Sequence, residues 1–169
     1  MRLARNVGAG ALAGAGGTAA MDLLLYARYR RGGGKDGLWR WEFAGNVMSW
    51  DEASAPGQLA RKALRQLTGD DPPEEWARPA TNIVHWATGV GWGLLYGARA
   101  STTSRRSLAG ALALGPAVWL SGYVVLPLAR VYKPIWEYDA RTLADDLSAH
   151  VLYGATASAV FAAVTRKGP

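Results

Sequence analysis

The stretch "NIVHWATGVGWGLLYG" (residues 82–97) is largely apolar and has a single histidine near its start. Every fourth residue gives His85, Gly89, Gly93 and Gly97, and these positions lie on one face of a helix. The stretch therefore predicts a membrane-spanning helix that carries one titratable side chain beside a stripe of glycines.

The composition of the whole chain is typical of apolar blocks separated by a polar segment. The chain has 169 residues, enough for one domain, and half of them are hydrophobic, yet the mean hydropathy is −0.03. The absence of cysteine excludes disulfides and thiolate metal sites. The net charge of +6 could suit nucleic acid, but much of it flanks apolar runs. We therefore expect the lipid bilayer as the partner, and no nucleic acid.

Four apolar runs approach the length that a helix needs to cross a bilayer, namely 7–27, 80–98, 108–129 and 147–164. The first run resembles a signal peptide but continues through "LLLYA" beyond the cleavage-like position, so we expect it to be retained. A soluble helical bundle is the main alternative, although no run has the polar face of a soluble surface helix. The sequence predicts an all-α integral membrane four-helix bundle, forming a single membrane domain.

The charge pattern addresses the orientation of this predicted multi-pass protein in the bacterial inner membrane. The face that holds both termini is basic and has no acidic residue, which favours cytoplasmic termini. The total Lys and Arg count favours the opposite face, which holds the long first loop. We expect cytoplasmic termini, with the two criteria in disagreement.

The first loop contains a segment with helical signals, "SAPGQLARKALRQLTG" (54–69). Ser54 is placed to cap it, Pro56 suits the first turn and Gly69 is a stop signal. This pattern predicts an amphipathic surface helix. Its expected apolar stripe consists of Leu59, Ala63, Leu64 and Leu67.

Tryptophans are concentrated in the segments on the loop side of the predicted bundle. We interpret them as an aromatic belt at head-group depth. Two of them begin matching "WE" words, Trp41–Glu42 and Trp136–Glu137, whose acids are expected to form interfacial ion pairs with arginine. The tryptophans of the predicted belt are Trp39, Trp41, Trp50, Trp76 and Trp136.

Short words recur in the same order in the two halves of the chain. "GALA" occurs at 10–13 and 110–113, the "WE" words follow, and His85 corresponds to His150. Each half contains two predicted spans, so the two copies would insert with the same orientation.

The inferred repeats have defined bounds. Repeat one covers residues 7–98 and carries an insertion at about 45–79, and repeat two covers residues 108–165. The resulting prediction is a bundle of two like-oriented two-span repeats, with the amphipathic helix inside the insertion.

Asp22 has a predicted partner on the second span. It ends an every-fourth stripe of small residues on the first span, and such stripes let membrane helices approach closely. Antiparallel pairing of the stripes sets Gly10 near Gly97 and Asp22 near His85. A buried carboxylate in a span is costly unless it is paired. The residues predicted to pack helices closely are Gly10, Gly14, Gly89, Gly93, Gly97, Gly154 and Ser158.

The predicted ligand- or ion-binding cluster consists of Asp22, His85 and His150, with Asn82 one turn outward. Three functions stay open for it. The first is mainly architectural or assembly-related, in a small membrane protein that is not an enzyme. The second is a proton- or cation-linked channel or transporter subunit, since histidine changes charge near neutral pH, and it would call for a homo-oligomer. The third is a haem or divalent metal site at His85 and His150, although no cofactor is the main expectation.

Four words of the sequence together resemble a known group of proteins. They are "AGAGGTAAMD", "NIVHWATGVGWGLLYG", "YKPIWEYDA" and "AHVLYGATAS". The chain resembles a family of small uncharacterised membrane proteins, most common in actinobacteria and loosely similar to the YagU-like inner-membrane proteins. The resemblance implies a multispanning protein of the inner membrane, and it brings no reaction, substrate or functional residue.

Overall fold

Helices form most of the structure in the computed structural model, which describes residues 2–102 and 108–166. Two short helices lie in the first loop, and three single 3₁₀ turns connect the elements. No β-strand occurs within the described ranges, so the predicted all-α class is confirmed. The helices are α1 (Arg2–Arg31), α2 (Leu38–Glu42), α3 (Ala55–Thr68), α4 (Ala77–Thr102), α5 (Leu108–Leu128) and α6 (Ala140–Thr165). The 3₁₀ turns are Trp50–Glu52, Glu74–Trp76 and Ile135–Glu137.

Two helices are long and apolar enough to cross a membrane, by length and composition. They are Leu3–Arg31 within α1, and α6. The apolar stretch Ala113–Leu128 of α5 is shorter. Among the described residues, α4 is not one of the helices that are long and apolar enough. Two of the four predicted spans are therefore supported in this way, and the other two stay predictions.

Glycines bring α1 and α4 into backbone contact. A Cβ atom on Gly10 would overlap the backbone of Gly93, and one on Gly14 would lie 2.5 Å from the carbonyl oxygen of Gly89. A Cβ on Gly97 would overlap the carbonyl oxygen of Asn6. Because the low residue numbers of one helix meet the high numbers of the other, the helices run antiparallel, and the predicted pairing of the two stripes is present.

Tyr153 of α6 connects three helices. Its ring packs on Gly17 of α1, where a Cβ would stand 2.8 Å from the ring. Its hydroxyl donates a hydrogen bond of 2.6 Å to the carbonyl oxygen of Gly89 on α4, and its side chain is buried. The residue therefore fixes α6 against both members of the first helix pair.

The second helix pair also meets at glycine. Gly154 of α6 lies against Gly115 of α5, and a Cβ on either residue would overlap the backbone of the other helix. Gly154 thus has the predicted packing role. Ser158, one turn later, is half-buried. α6 packs on α1 and α5, so α1 and α6 lie in the middle of the row α4, α1, α6, α5.

The insertion forms a small unit against α4, with a buried cluster of its own. Trp50 is fully buried in it, and its indole Nε1 donates to the carbonyl oxygens of Pro72 and Pro73 at 2.9 and 3.2 Å. The prediction that Trp50 belongs to an exposed belt is therefore wrong, because its polar end finds partners within the loop. Trp39, Trp76 and Trp136 are exposed, and Trp41 is half-buried against Tyr26 and Tyr29.

The helix predicted at 54–69 is present as α3, and Gly69 ends it with a φ of 85°. Ser54 occupies the N-cap position, but its side chain makes no capping hydrogen bond. The buried face of α3 differs from the predicted stripe. It presents Gly57 and Ala60 to the interior, keeps Leu59 and Leu64 of the predicted stripe half-buried, and leaves Ala63 and Leu67 exposed. The reason is close approach to α4, because a Cβ on Gly57 would overlap the side chain of Thr81.

Candidate functional site

Asp22 and His85 form the ionic contact that the paired stripes predict. His85 Nε2 lies 2.8 Å from Asp22 Oδ1, and Asp22 is 5% exposed. Because a carboxylate can only accept, Nε2 carries the hydrogen and donates it. Nδ1 of the neutral ring is then the acceptor nitrogen. The contact joins α1 to α4 a little beyond the glycine crossing.

Glu42 lies beside this pair, a position that the sequence does not predict. Its Oε1 accepts a hydrogen bond of 2.7 Å from Trp86 Nε1, and its carbonyl oxygen accepts one of 2.9 Å from Asn82 Nδ2. Burial raises the pKa of Glu42, the Trp86 hydrogen bond opposes this, and the negative charge of Asp22 raises the pKa further. Asn82 thus belongs to the site through Glu42.

The predicted ion pairs of Glu42 and Glu137 with arginine are wrong. Within the described ranges neither residue forms an ion pair: Glu42 is held by Trp86, and Glu137 is exposed beside the exposed Trp136. The matching "WE" words therefore have different environments. Only the first brings its acid to the cluster.

His150 obtains its acid from its own helix. Its Nδ1 lies 3.0 Å from the carbonyl oxygen of Asp146 and 3.4 Å from Asp146 Oδ1. Since a carbonyl only accepts, Nδ1 carries the hydrogen, and Nε2 of the neutral ring is a lone-pair nitrogen. In the described part of the chain, no group of three or more His, Asp or Glu side chains is placed to hold a metal ion.

A cleft of about 430 Å³ brings the two histidines to one space. Its walls are α4 and α5, α1 and α6 close its floor, and α3 lies at its loop end. Both His85 and His150 line it, as predicted for His150. Within the described ranges, α4 and α5 make little direct contact with each other. The cleft occupies the gap between them.

The lining of the cleft is mostly apolar, and its ionisable side chains lie toward one end. Asp146 and Tyr132 lie with the two histidines toward the loop end. Trp92 lies seven residues beyond His85 on α4, about 10 Å deeper. The arrangement suits a molecule with a polar head and an apolar body. The main apolar lining residues are Met21, Leu25, Val84, Trp92, Val118 and Val125.

Helix α3 closes the loop end of this cleft. Its first turns contribute Ala55, Pro56 and Leu59 to the lining. Further along, Lys62 Nζ donates a hydrogen bond of 3.2 Å to the carbonyl oxygen of Arg130, just after α5. Because α3 also packs on α4, it bridges the two walls.

Sequence reasoning missed Glu42, Trp86 and Asp146 as members of the site. Trp86 directly follows His85, and Asp146 lies four residues before His150, so both had a local signal. Glu42 had no local sequence signal beyond the repeated "WE" word, because it is the tertiary fold of the first loop that brings α2 against α4.

The fold and the site together define an all-helical protein with an apolar, polar-headed cleft between two helix pairs. No known protein family, curated protein or solved structure that was compared with the chain matches it. The resemblance to the actinobacterial membrane proteins stays a prediction.

Proposed function

We propose that the chain is a four-span protein of the bacterial inner membrane whose α4/α5 cleft binds a small amphipathic molecule. The Asp22–His85 contact has an architectural role in this protein, because it joins α1 to α4. It also presents a polar group at the head of the cleft. The chain acts as a binding protein and not as an enzyme.

The distribution of side-chain sizes supports the membrane part of the proposal. Half of the buried hydrophobic residues that form the main core cluster are alanines, and close glycine crossings accompany them. Large apolar side chains are exposed on all four long helices instead. Lipid tails would cover such side chains, whereas water would not. The exposed ones include Leu12, Leu23, Ile83, Leu95, Leu120, Val124 and Val151.

The geometry of the two helix pairs supports the like-oriented repeats. α1 is antiparallel to α6, and α5 is antiparallel to α6, so α1 and α5 point the same way. In each pair the glycine four residues after the histidine contacts the preceding long helix. His85 and His150 then lie on the two sides of one cleft, as a pseudo-twofold axis along the membrane normal would place them.

The single observation that carries the binding proposal is the cleft itself. Its volume falls within the range of small-molecule sites, and such sites combine an apolar lining with a few convergent polar groups. Its position between α4 and α5 gives a route of entry from the bilayer. A lipid-soluble molecule with hydrogen-bonding atoms at one end fits this lining.

Filling the cleft tests the proposal. Gly122 lines the cleft, and a Cβ there would meet nothing closer than Leu126 at 4.0 Å, so Gly122→Leu adds a side chain without a backbone clash. Gly91→Leu is the matched control, because Gly91 is also a helical glycine with open space and does not line the cleft. Native mass spectrometry of each protein, purified in mild detergent, measures the retained small molecules.

We expect the wild type and Gly91→Leu to retain one mass that Gly122→Leu loses. Equal retention by all three proteins would contradict the cleft as the binding site. If none of them retains a molecule, even after incubation with extracted bacterial lipids, the cluster keeps only its architectural role.

A further inference from the structure

The serine and threonine hydroxyls in the described lining of the cleft donate their hydrogens to backbone. Each of them bonds a carbonyl oxygen of its own helix, three or four residues earlier. The donors are Thr18, Thr88 and Ser121, at 3.0, 2.7 and 2.6 Å. A hydroxyl has a single hydrogen, so only its lone pairs remain free. These side chains therefore offer a bound molecule acceptors and no donor.

The two histidines add acceptor nitrogens at the loop end of the cleft. Nε2 of His85 donates to Asp22, and Nδ1 of His150 donates to the carbonyl oxygen of Asp146. In a neutral imidazole the second nitrogen carries a lone pair. Each neutral ring therefore has its remaining nitrogen as an acceptor.

The charge of the lining has the same bias as its hydrogen bonding. The described lining contains one acid, Asp146, and neither lysine nor arginine. The Asp146 side chain keeps 34% of its surface exposed, although its Oδ1 lies 3.4 Å from His150 Nδ1. A carboxylate only accepts hydrogen bonds, and it does so most strongly from a charged donor. The loop end of the cleft therefore complements a polar head that is positively charged and rich in hydrogens.

The first turn of α3 is the part of the lining that would favour an anion. Ala55 and Pro56 line the loop end, and a helix N-terminus carries roughly half a positive charge. Pro56, however, has no N–H group to donate. The full charge of the Asp146 carboxylate is larger than that of the helix end, so we expect a cation to be preferred.

We propose that the molecule bound in the cleft is an amphipathic amine, whose protonated head is held by Asp146 and by the acceptor nitrogens of the two histidines. This inference rests on the proposed function and specifies the class of its ligand. An ammonium group has three hydrogens to donate and no lone pair, so it satisfies acceptors that an anionic head cannot. The apolar body of the amine then lies along the deeper lining, where Trp92 is found.

Competition binding to the ligand-depleted full chain in mild detergent tests the charge of the head. The probes are decylamine, decanol and decanoate, which share an alkyl chain and differ in charge. At about pH 8 an alkylammonium is charged, as lysine is, and an ordinary imidazole is neutral. Tritiated decylamine is counted on the tagged protein while unlabelled decanol or decanoate competes. Each affinity is corrected for the uptake of the probe by empty micelles.

Two variants locate the preference within the cleft. Asp146→Asn removes the charge of the acid and keeps the shape of its side chain. Asp145→Asn is the matched control, because exposed Asp145 is the neighbour of Asp146 on α6 and does not line the cleft.

We expect the wild type and Asp145→Asn to bind decylamine about tenfold more tightly than decanol, or better, because hydrogen bonds to charged groups are the stronger ones. Asp146→Asn should lose most of this preference and still bind decanol. Equal affinity of the wild type for decylamine and decanol, or tighter binding of decanoate, would overturn the amine, and this result needs no variant to fold. If Gly122→Leu then weakened the binding of every probe, the cleft would remain the site. Binding that Gly122→Leu leaves unchanged would contradict the proposed function as well.

Discussion

The two helix pairs, α1/α4 and α5/α6, use glycine in the same way but differ at their loop ends. In α1/α4 the acid lies on one helix and the histidine on the other, so the Asp22–His85 contact crosses between helices. In α5/α6 the acid and the histidine both lie on α6. There an aromatic cluster joins the elements instead, with the Tyr123 ring 5.1 Å from Trp119 and 5.4 Å from Tyr138.

This difference separates packing from electrostatics. Glycine contacts are common to both pairs and should determine whether the helices assemble at all. The interhelical ionic contact belongs to one pair only, so sensitivity to charge and pH should be concentrated there. Substitutions in each helix pair test this separation.

The largest effect is expected from a side chain placed in the glycine crossings. A Cβ on Gly93 would overlap the backbone of Gly10 and Gly14, so Gly93→Val forces α1 and α4 apart. We expect a loss of stability of about 3 kcal/mol or more, because backbone cannot move aside as a side chain can. Thermal unfolding in detergent measures it.

Gly154→Val should have a similar effect in the second pair, where a Cβ would overlap Gly115. Gly91→Val is the control, since Gly91 faces open space on the same helix as Gly93. Equal melting temperatures for Gly93→Val and Gly91→Val would show that the crossing does not hold the pair together.

A smaller effect is expected from the acids, and it should differ between the pairs. Asp22→Asn weakens an interhelical contact, which in membranes is typically worth on the order of 1 kcal/mol. Asp146→Asn weakens a contact within one helix turn, worth about 0.5 kcal/mol or less. Thermal unfolding of the two variants compares them. A larger loss for Asp146→Asn would mean that its neighbours on α5, and not His150, determine its contribution.

The sequence predicted best those features that depend on local spacing. The glycine stripe after His85 and the matching stripe before Asp22 predicted the antiparallel contact, because helical geometry alone sets both faces. The same spacing could not reveal Trp50 or Glu42. The indole of buried Trp50 donates to carbonyl groups that lie more than twenty residues away in the chain. The fold of the first loop brings Glu42 next to α4.

The amphipathic helix shows a second limit of sequence reasoning. Its position and its glycine stop were predicted, but its buried face was assigned to leucines. The observed face is built on Gly57 and Ala60, because close approach to α4 favours small side chains. Hydrophobicity indicates a buried face only when the partner surface leaves room for large side chains.

The smallest effect in this comparison is the pH dependence that Glu42 contributes to stability. Burial is the largest influence and raises its pKa above the usual 4.5, and the charge of Asp22 acts in the same direction. A folded-state pKa above the unfolded value means that the folded protein binds the proton more strongly. The stabilisation is therefore fully present below about pH 4.5 and is lost as the pH rises through the raised folded-state pKa. Glu42→Gln cannot ionise, so its melting temperature should fall less over this pH range than that of the wild type. Glu137→Gln is the matched control, because it makes the same substitution at the exposed glutamate of the second "WE" word. Parallel curves for Glu42→Gln and the wild type would place the pH sensitivity outside Glu42, and the same measurement on Asp22→Asn would then show whether the α1/α4 pair contributes to it at all.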